Sequence, residues 1–187
     1  MRLIGLSGTN GAGKDTVGEI LASVHNFLFI SMTDMLREEA RNRNLDTSRE
    51  VLRTISAEWR RESGLGVLID KSIAHYKKLG GDEKYAGLVL ASLRNPGEND
   101  RVHELGGDVI WVDADPQVRF ERISSRARAD DPESFEEFLK NEQAEMKHSG
   151  DKATLSMEDV RDKSDKVFIN NENNIDNLKD TIKSRLL

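Results

Sequence analysis

The sequence predicts an α/β fold in which a five-stranded parallel sheet is wrapped by helices. Three observations point there. Short apolar runs alternate with helical patterns along the chain, the order that builds parallel strands joined by crossover helices. The first run, RLIGLS (2–7), enters the glycine-rich stretch GLSGTNGAGKDT (5–16) and then a helical pattern, a strand–loop–helix order. The 187 residues suit one domain, spanning 1–187, with a substantial core and no internal repeat or linker to divide it.

Each element has its own signal. After the glycine loop, Val17, Ile20 and Leu21 recur at helical spacing from Lys14 to about Ser23. FLFIS (27–31) reads as the second strand, and a helix follows over about 33–42. Thr47 or Ser48 caps a third helix carrying Val51, Leu52, Ile55 and Trp59 on one face. LGVLIDKSIAHYKKL (65–79) is a fourth, ended by the Gly80-Gly81 pair. YAGLVLAS (85–92) and DVIWVDA (108–114) have the continuous apolar character of buried parallel strands. Pro116 opens a helix through QVRFERISSR, since its fixed φ and missing N–H suit a first helical turn. A polar turn leads to another amphipathic helix, FEEFLKNEQAEMKH. KVFIN (166–170) is the fifth strand, and the segment 175–187 is helical.

Composition narrows the function. With 28 basic against 34 acidic residues the net charge is −6, which argues against a large nucleic-acid surface. There are no cysteines, hence no disulfide framework and no thiolate metal site. The opening MRLIGLSG has too short an apolar run for a signal peptide, and no segment approaches a membrane span. The expectation is a soluble cytoplasmic protein without a membrane partner, a monomer or small homo-oligomer. The four histidines (His25, His75, His103, His148) lie far apart and show no metal-ligand spacing. Asp113 and Asp115, after a strand, are read as caps for the next helix, and both tryptophans as core.

The glycine loop carries the chemistry. Gly8, Gly13 and Lys14 fit the phosphate-binding pattern G-x-x-x-x-G-K-[ST], in which backbone N–H groups surround phosphate oxygens. The lysine adds charge and the following helix aims its positive end at the site. Residues Gly8, Thr9, Asn10, Gly11, Ala12, Gly13, Lys14, Asp15 and Thr16 thus form a nucleotide-phosphate cradle, one that a bare glycine-rich turn before a helix would not need. Asp15 stands where the pattern wants a hydroxyl, and Thr16 comes one place late. A carboxylate is also a hard oxygen ligand for Mg²⁺, so Asp15 is the metal candidate. The plainer alternative is that Asp15 only favours the positive helix end.

Together with FISMTDMLREEA (29–40) and ERISSRARADD (121–131), this loop resembles the P-loop nucleoside monophosphate kinases, adenylate kinases among them. Shared features are a strand ending Ile-Ser, an Asp-Met-Leu-Arg segment and a later Glu-Arg-Ile-x-x-Arg. The combination of GTNGAGK, LRNPGE, WVDADPQVRFERISSRARADD and FINNENNIDNL is more similar to small, lid-poor relatives. These include an archaeal adenylate-kinase-related group and the dephospho-CoA kinases. The Lys-Asp-Thr loop is similar to that of phage-type deoxynucleoside monophosphate kinases.

The resemblance implies ATP as phosphoryl donor, Mg²⁺, and a nucleotide acceptor. It implies a helical acceptor-binding insertion over 33–80 and a short lid over 126–135. Lys14 would stabilise the transferring group. Arg37, with Ser31 and Asp34 beside it, and Arg94 would hold the acceptor phosphate. Arg122 would lie near the donor base, Arg126 would grip the phosphates, and Arg128 would close as a lid arginine, with Arg119 one turn earlier. Asn171, in FINNENN, would contact the donor base. The chain departs from the family at two places. Met32-Thr33 stands where the relatives carry Thr-Gly, and Ala91-Ser92-Leu93-Arg94 where they carry Asp-Gly-Ile-Arg. The expectation is that Asp15 supplies charge that an aspartate at position 91 would otherwise bring. Two further readings stay open: transfer to a ribose hydroxyl, as in dephospho-CoA kinases, and a nucleotide-binding module without catalysis.

Overall fold

The computed structural model describes residues 1–126 (the side chain at 126 excepted), 134–146, 150–171 and 174–186. Among the described residues there are five strands, β1 (Arg2–Gly8), β2 (Phe27–Ser31), β3 (Gly87–Ala91), β4 (Asp108–Asp113) and β5 (Lys166–Ile169). They form one sheet in the order β2-β3-β1-β4-β5, with every neighbouring pair parallel. The expected α/β architecture is therefore present. Ile4 pairs with Val89 on one side and Asp108 on the other, so β1 is central.

The helices are α1 (Lys14–His25), α2 (Met32–Asn42), α3 (Arg49–Ser63), α4 (Val67–Lys78), α5 (Pro96–Glu104), α6 (Pro116–Arg126), α7 (Phe135–Met146), α8 (Met157–Asp162) and α9 (Ile175–Leu186). Strand alternation divides the core into two layers. Ile4, Leu6, Val89, Ile110, Val112 and Phe168 face α1 and α9, meeting Val17, Ile20, Leu21, Leu178 and Ile182. Leu3, Leu88, Leu90 and Val109 face the opposite layer, where Leu36, Leu52, Ile55, Leu68, Ile69, Ile73, Tyr76 and Val102 pack. Trp111, buried as expected, joins Met157 and Val160 in a smaller cluster.

The stretch expected as a helical insertion holds α2, α3 and α4. Ser31 caps α2 by accepting from the Asp34 amide (3.3 Å), and Ser48, one of the two expected caps, accepts from the Val51 amide (3.4 Å). Sequence periodicity missed α5 and α8. The signal for α5 was nonetheless present in Asn95-Pro96-Gly97-Glu98. Asn95 accepts from the Gly97 amide (2.9 Å), Glu98 accepts from the Asn95 amide (3.1 Å), and Pro96 occupies the first turn.

The chain runs from β1 past β3 to β2, then returns through β3 to β4 and β5 on the other side. This reversal leaves a crevice at the carboxyl ends of β1 and β3, where open α/β sheets bind ligands. No helix among the described residues is long and apolar enough to cross a membrane.

Candidate active site

A cleft of about 820 Å³ opens at that crevice. The glycine loop forms one wall, and its residues divide by role. Asn10, Gly11, Gly13, Lys14, Asp15 and Thr16 line the cleft, whereas Gly8, Thr9 and Ala12 brace the loop from behind. At Gly8 a side chain is impossible: φ is +140° and a Cβ would lie 1.8 Å from the Val112 carbonyl oxygen. Gly13 is left-handed (φ +89°) and turns the chain into α1, and a Cβ there would meet the Asn170 amide at 2.5 Å. Thr9 donates its hydroxyl to Asp113 (2.7 Å), and its carbonyl accepts from Lys14 Nζ (3.2 Å). Asp113 is thus a brace for the loop, while Asp115 caps α6 as expected by accepting from the Gln117 amide (2.9 Å).

The opposite wall is cationic. Arg37, from α2, lines the cleft and pairs with exposed Asp34 (2.7 Å). Ser31 acts as the helix cap described above. The turn after β3 uses Ser92 at φ +76°, where the related pattern has glycine, and aims Arg94 into the cleft. Glu98 fixes this turn by accepting from the backbone N–H of Arg94 (2.7 Å). Glu98 is itself fully buried and paired with Arg60 (2.7 Å), whose guanidinium also donates to the Ala153 carbonyl (3.0 Å). Ala91 is fully buried in the apolar layer beneath the loop.

Sequence reasoning missed two arginines, Arg49 and Arg53, which α3 brings to the same wall. Their i, i+4 spacing was the available signal. With Arg94 they surround Glu145 of α7, at 3.9, 2.7 and 3.1 Å respectively. Burial alone would raise the Glu145 pKa, but Arg94, Arg53 and Arg49 outweigh it and leave the carboxyl below its ordinary value.

On the side of the last strand, Arg122 lines the cleft and donates to the Asn170 carbonyl (3.0 Å). Burial lowers its pKa from the usual arginine value. Arg119 differs from the arginine face drawn from the sequence. It is buried, pairs with Glu142 (3.0 Å for one N–O contact), donates to the Ala114 carbonyl (2.8 Å) and lies over Phe138. It ties α6, α7 and the loop together. Arg128, the side chain of Arg126, and most of the expected lid over 126–135 lie outside the described residues.

Asn171 turns away to accept from the Asp115 amide (2.8 Å) and does not line the cleft; the neighbouring Asn170 does. The Asn170 side-chain amide donates to the Ala12 carbonyl (2.9 Å), while its oxygen is buried without a hydrogen-bond partner.

A glycine cradle after β1, facing an arginine wall after β3 in a sheet of this order, defines a P-loop kinase-like α/β protein. Solved structures agree on the fold. Shikimate kinase from Bacteroides thetaiotaomicron superposes with a TM-score of 0.58 at 15% identity, covering 99% of this chain and 98% of that one. Shikimate kinase from Acinetobacter baumannii gives 0.56 at 15%, covering 100% and 93%. A family profile described as an AAA domain matches residues 4–148. A UPF0200 protein of Pyrococcus horikoshii is 31% identical over 179 residues, 90% of this chain and 88% of the relative. Another, from Pyrococcus abyssi, is 30% identical over 151 residues, covering 77% and 78%. The chain belongs to the AAA domain family and to the UPF0200 proteins.

Proposed function

We propose that this protein transfers the γ-phosphoryl group of ATP to a phosphate-bearing acceptor, a nucleoside monophosphate. One observation carries the reading: a single cleft is lined on one side by the Lys14 loop and on the other by Arg37, Arg53 and Arg94. Such a cleft suits two anions brought face to face, which is what phosphoryl transfer between phosphates requires.

Lys14 and the loop amides hold the donor's β- and γ-phosphates. Arg37 and Arg94 orient the acceptor. Arg122, with Arg126 and Arg128 from the proposed lid over 126–135, neutralises charge on the equatorial oxygens. The helices over 33–80 form the acceptor-binding insertion. Among the described residues no three His, Asp or Glu side chains gather to hold a metal by themselves. Asp15, at the cleft, would hold Mg²⁺ in company with the phosphates, and Thr16 beside it would contact phosphate. Bound there, the ion supplies further neutralisation of phosphate charge.

A hydroxyl acceptor calls for a carboxylate to take its proton, and the end of β3 offers Ala91. A phosphate acceptor is already nucleophilic and needs none, which favours a monophosphate over dephospho-CoA. The test is ADP release from ATP with a panel of nucleoside monophosphates and dephospho-CoA, with and without Mg²⁺. Release that depends on one of the monophosphates supports the reading. Release only with dephospho-CoA moves the acceptor to a hydroxyl, and nucleotide binding with no acceptor-dependent release leaves a binding module.

A further inference from the structure

Glu145 sits where an arginine wall would be expected to receive a ligand. Its Oε2 accepts from Arg94 Nη1 at 3.1 Å, its Oε1 from Arg53 Nη2 at 2.7 Å, and Arg49 Nη1 stands 3.9 Å away. These guanidiniums come from α3 and from the turn after β3, whereas the carboxylate comes from a third element, α7. The Glu145 side chain is 13% exposed, but Arg53 and Arg94 keep 50% and 31% of theirs, so the cations reach the carboxylate from the cleft rim. Both carboxylate oxygens are used, each by a different guanidinium, the kind of charge-assisted bridging by which arginines also hold a phosphate.

We propose that Glu145 is a specificity-determining residue, a built-in counter-anion that occupies the acceptor-anion position and is displaced only by a more highly charged group. The inference rests on reading the cleft as an acceptor site. Arg53 and Arg94, both bonded to the one Glu145 carboxylate, bring one more positive charge than it neutralises. A phosphate dianion that replaces Glu145 gains a second negative charge against the same cations. A carboxylate acceptor replaces like with like and gains nothing. The wall therefore selects phosphate-bearing acceptors over carboxylate-bearing ones of similar shape, at the cost of some affinity for both.

The sign of one substitution separates this role from a purely structural tie. Removing a tie loosens the site, whereas removing a competitor tightens it. Inorganic phosphate is titrated calorimetrically into the protein with the Lys14 loop saturated by a non-hydrolysable ATP analogue, so that the second anion position alone is read. Glu145→Gln is expected to bind phosphate at least about tenfold more tightly than the wild type, a free-energy difference of about 1.4 kcal/mol. Adding Arg53→Ala is expected to abolish that gain. Unchanged or weaker phosphate binding by Glu145→Gln overturns the proposal, as does a gain that survives Arg53→Ala. Should Glu145→Gln fail to fold, Glu145→Asp takes its place, because the shorter carboxylate cannot span both guanidiniums. It is expected to bind phosphate a few-fold more tightly than the wild type, and equal or weaker binding overturns the proposal. Failure of the kinase reading shows separately, as a wild-type protein that does not bind the ATP analogue. In that case the phosphate titration is run without it, in a Lys14→Ala background, with the same criteria.

Discussion

Replacing Glu98 by alanine strikes the support of the arginine wall. The Glu98 side chain is 0% exposed and accepts four N–H contacts, from Arg60 Nε (3.2 Å), Arg60 Nη2 (2.7 Å), and the backbone amides of Arg94 (2.7 Å) and Asn95 (3.1 Å). Its loss strands a guanidinium that is only 3% exposed, and breaking a buried pair this way costs about 3–5 kcal/mol. The two stranded amides add about 1–3 kcal/mol each where water cannot replace the carboxylate. Against the roughly 5–15 kcal/mol that holds a whole domain, this is a large fraction. Arg60→Met breaks the same pair but leaves the carboxylate its two backbone donors, so its loss is smaller by at least about 1 kcal/mol. Urea unfolding followed by far-ultraviolet circular dichroism measures both, with an unchanged m-value as the check on two-state behaviour. A loss below about 1 kcal/mol for Glu98→Ala, or a larger loss for Arg60→Met, would show that Glu98 does not support the Arg94 turn in this way.

Other consequences are open to direct measurement. Gly8→Ala is expected to cost more than about 3 kcal/mol in the same assay, because backbone strain of about 1–3 kcal/mol is joined by the overlap with Val112; a near-neutral variant contradicts the loop geometry. Tyr76 donates to Asp82 (2.8 Å), and burial followed by that bond raises its pKa from 10.0 to about 12. The stabilisation it brings is complete below pH 10 and lost as pH rises through about 12. An ultraviolet titration of the wild type minus Tyr76→Phe should show this late ionisation, and a difference curve centred at pH 10 contradicts it. Asp15→Ser, which exchanges a charged carboxylate for the neutral hydroxyl usual at this position, is expected to raise the Mg²⁺ concentration for half-maximal turnover by about tenfold, the scale of weakening one group that supports a metal. Ala91→Asp added to that variant should restore part of the loss, and a double variant no better than Asp15→Ser ends the idea that the two positions trade a carboxylate.

The sheet was legible because parallel strands buried on both faces announce themselves as apolar runs, and GLVLA and DVIWVD do so plainly. The glycine loop was legible because its residues answer local constraints, such as the Val112 carbonyl pressed against Gly8. Helix α5 escaped a reading based on apolar period, although its cap residues spelled it out, and the six residues of α8 are too few to show a period. The arginine wall was half legible. Arg37 and Arg94 could be placed by resemblance, and Arg49 with Arg53 by spacing. Partners distant in sequence could not. Nothing local says that Arg119 is buried against Glu142, 23 positions on, or that Glu145 lies among arginines from two other elements. The choice between Asn170 and Asn171 turned on strand register, because successive side chains at a strand end point to opposite sides.

If the Lys14 loop and the Arg94 wall hold two anions for direct transfer, the γ-phosphoryl group passes straight from ATP to the acceptor. ATP labelled at the γ-phosphorus, mixed in single turnover with Mg²⁺ and the nucleoside monophosphate that stimulates ADP release, tests it most directly. The label is expected in the nucleoside diphosphate as fast as ATP is consumed, and Arg94→Ala is expected to slow this transfer by about two orders of magnitude, the scale of removing one group that stabilises transferring charge. Label released as inorganic phosphate, at a rate indifferent to both the monophosphate and Arg94, would contradict direct transfer.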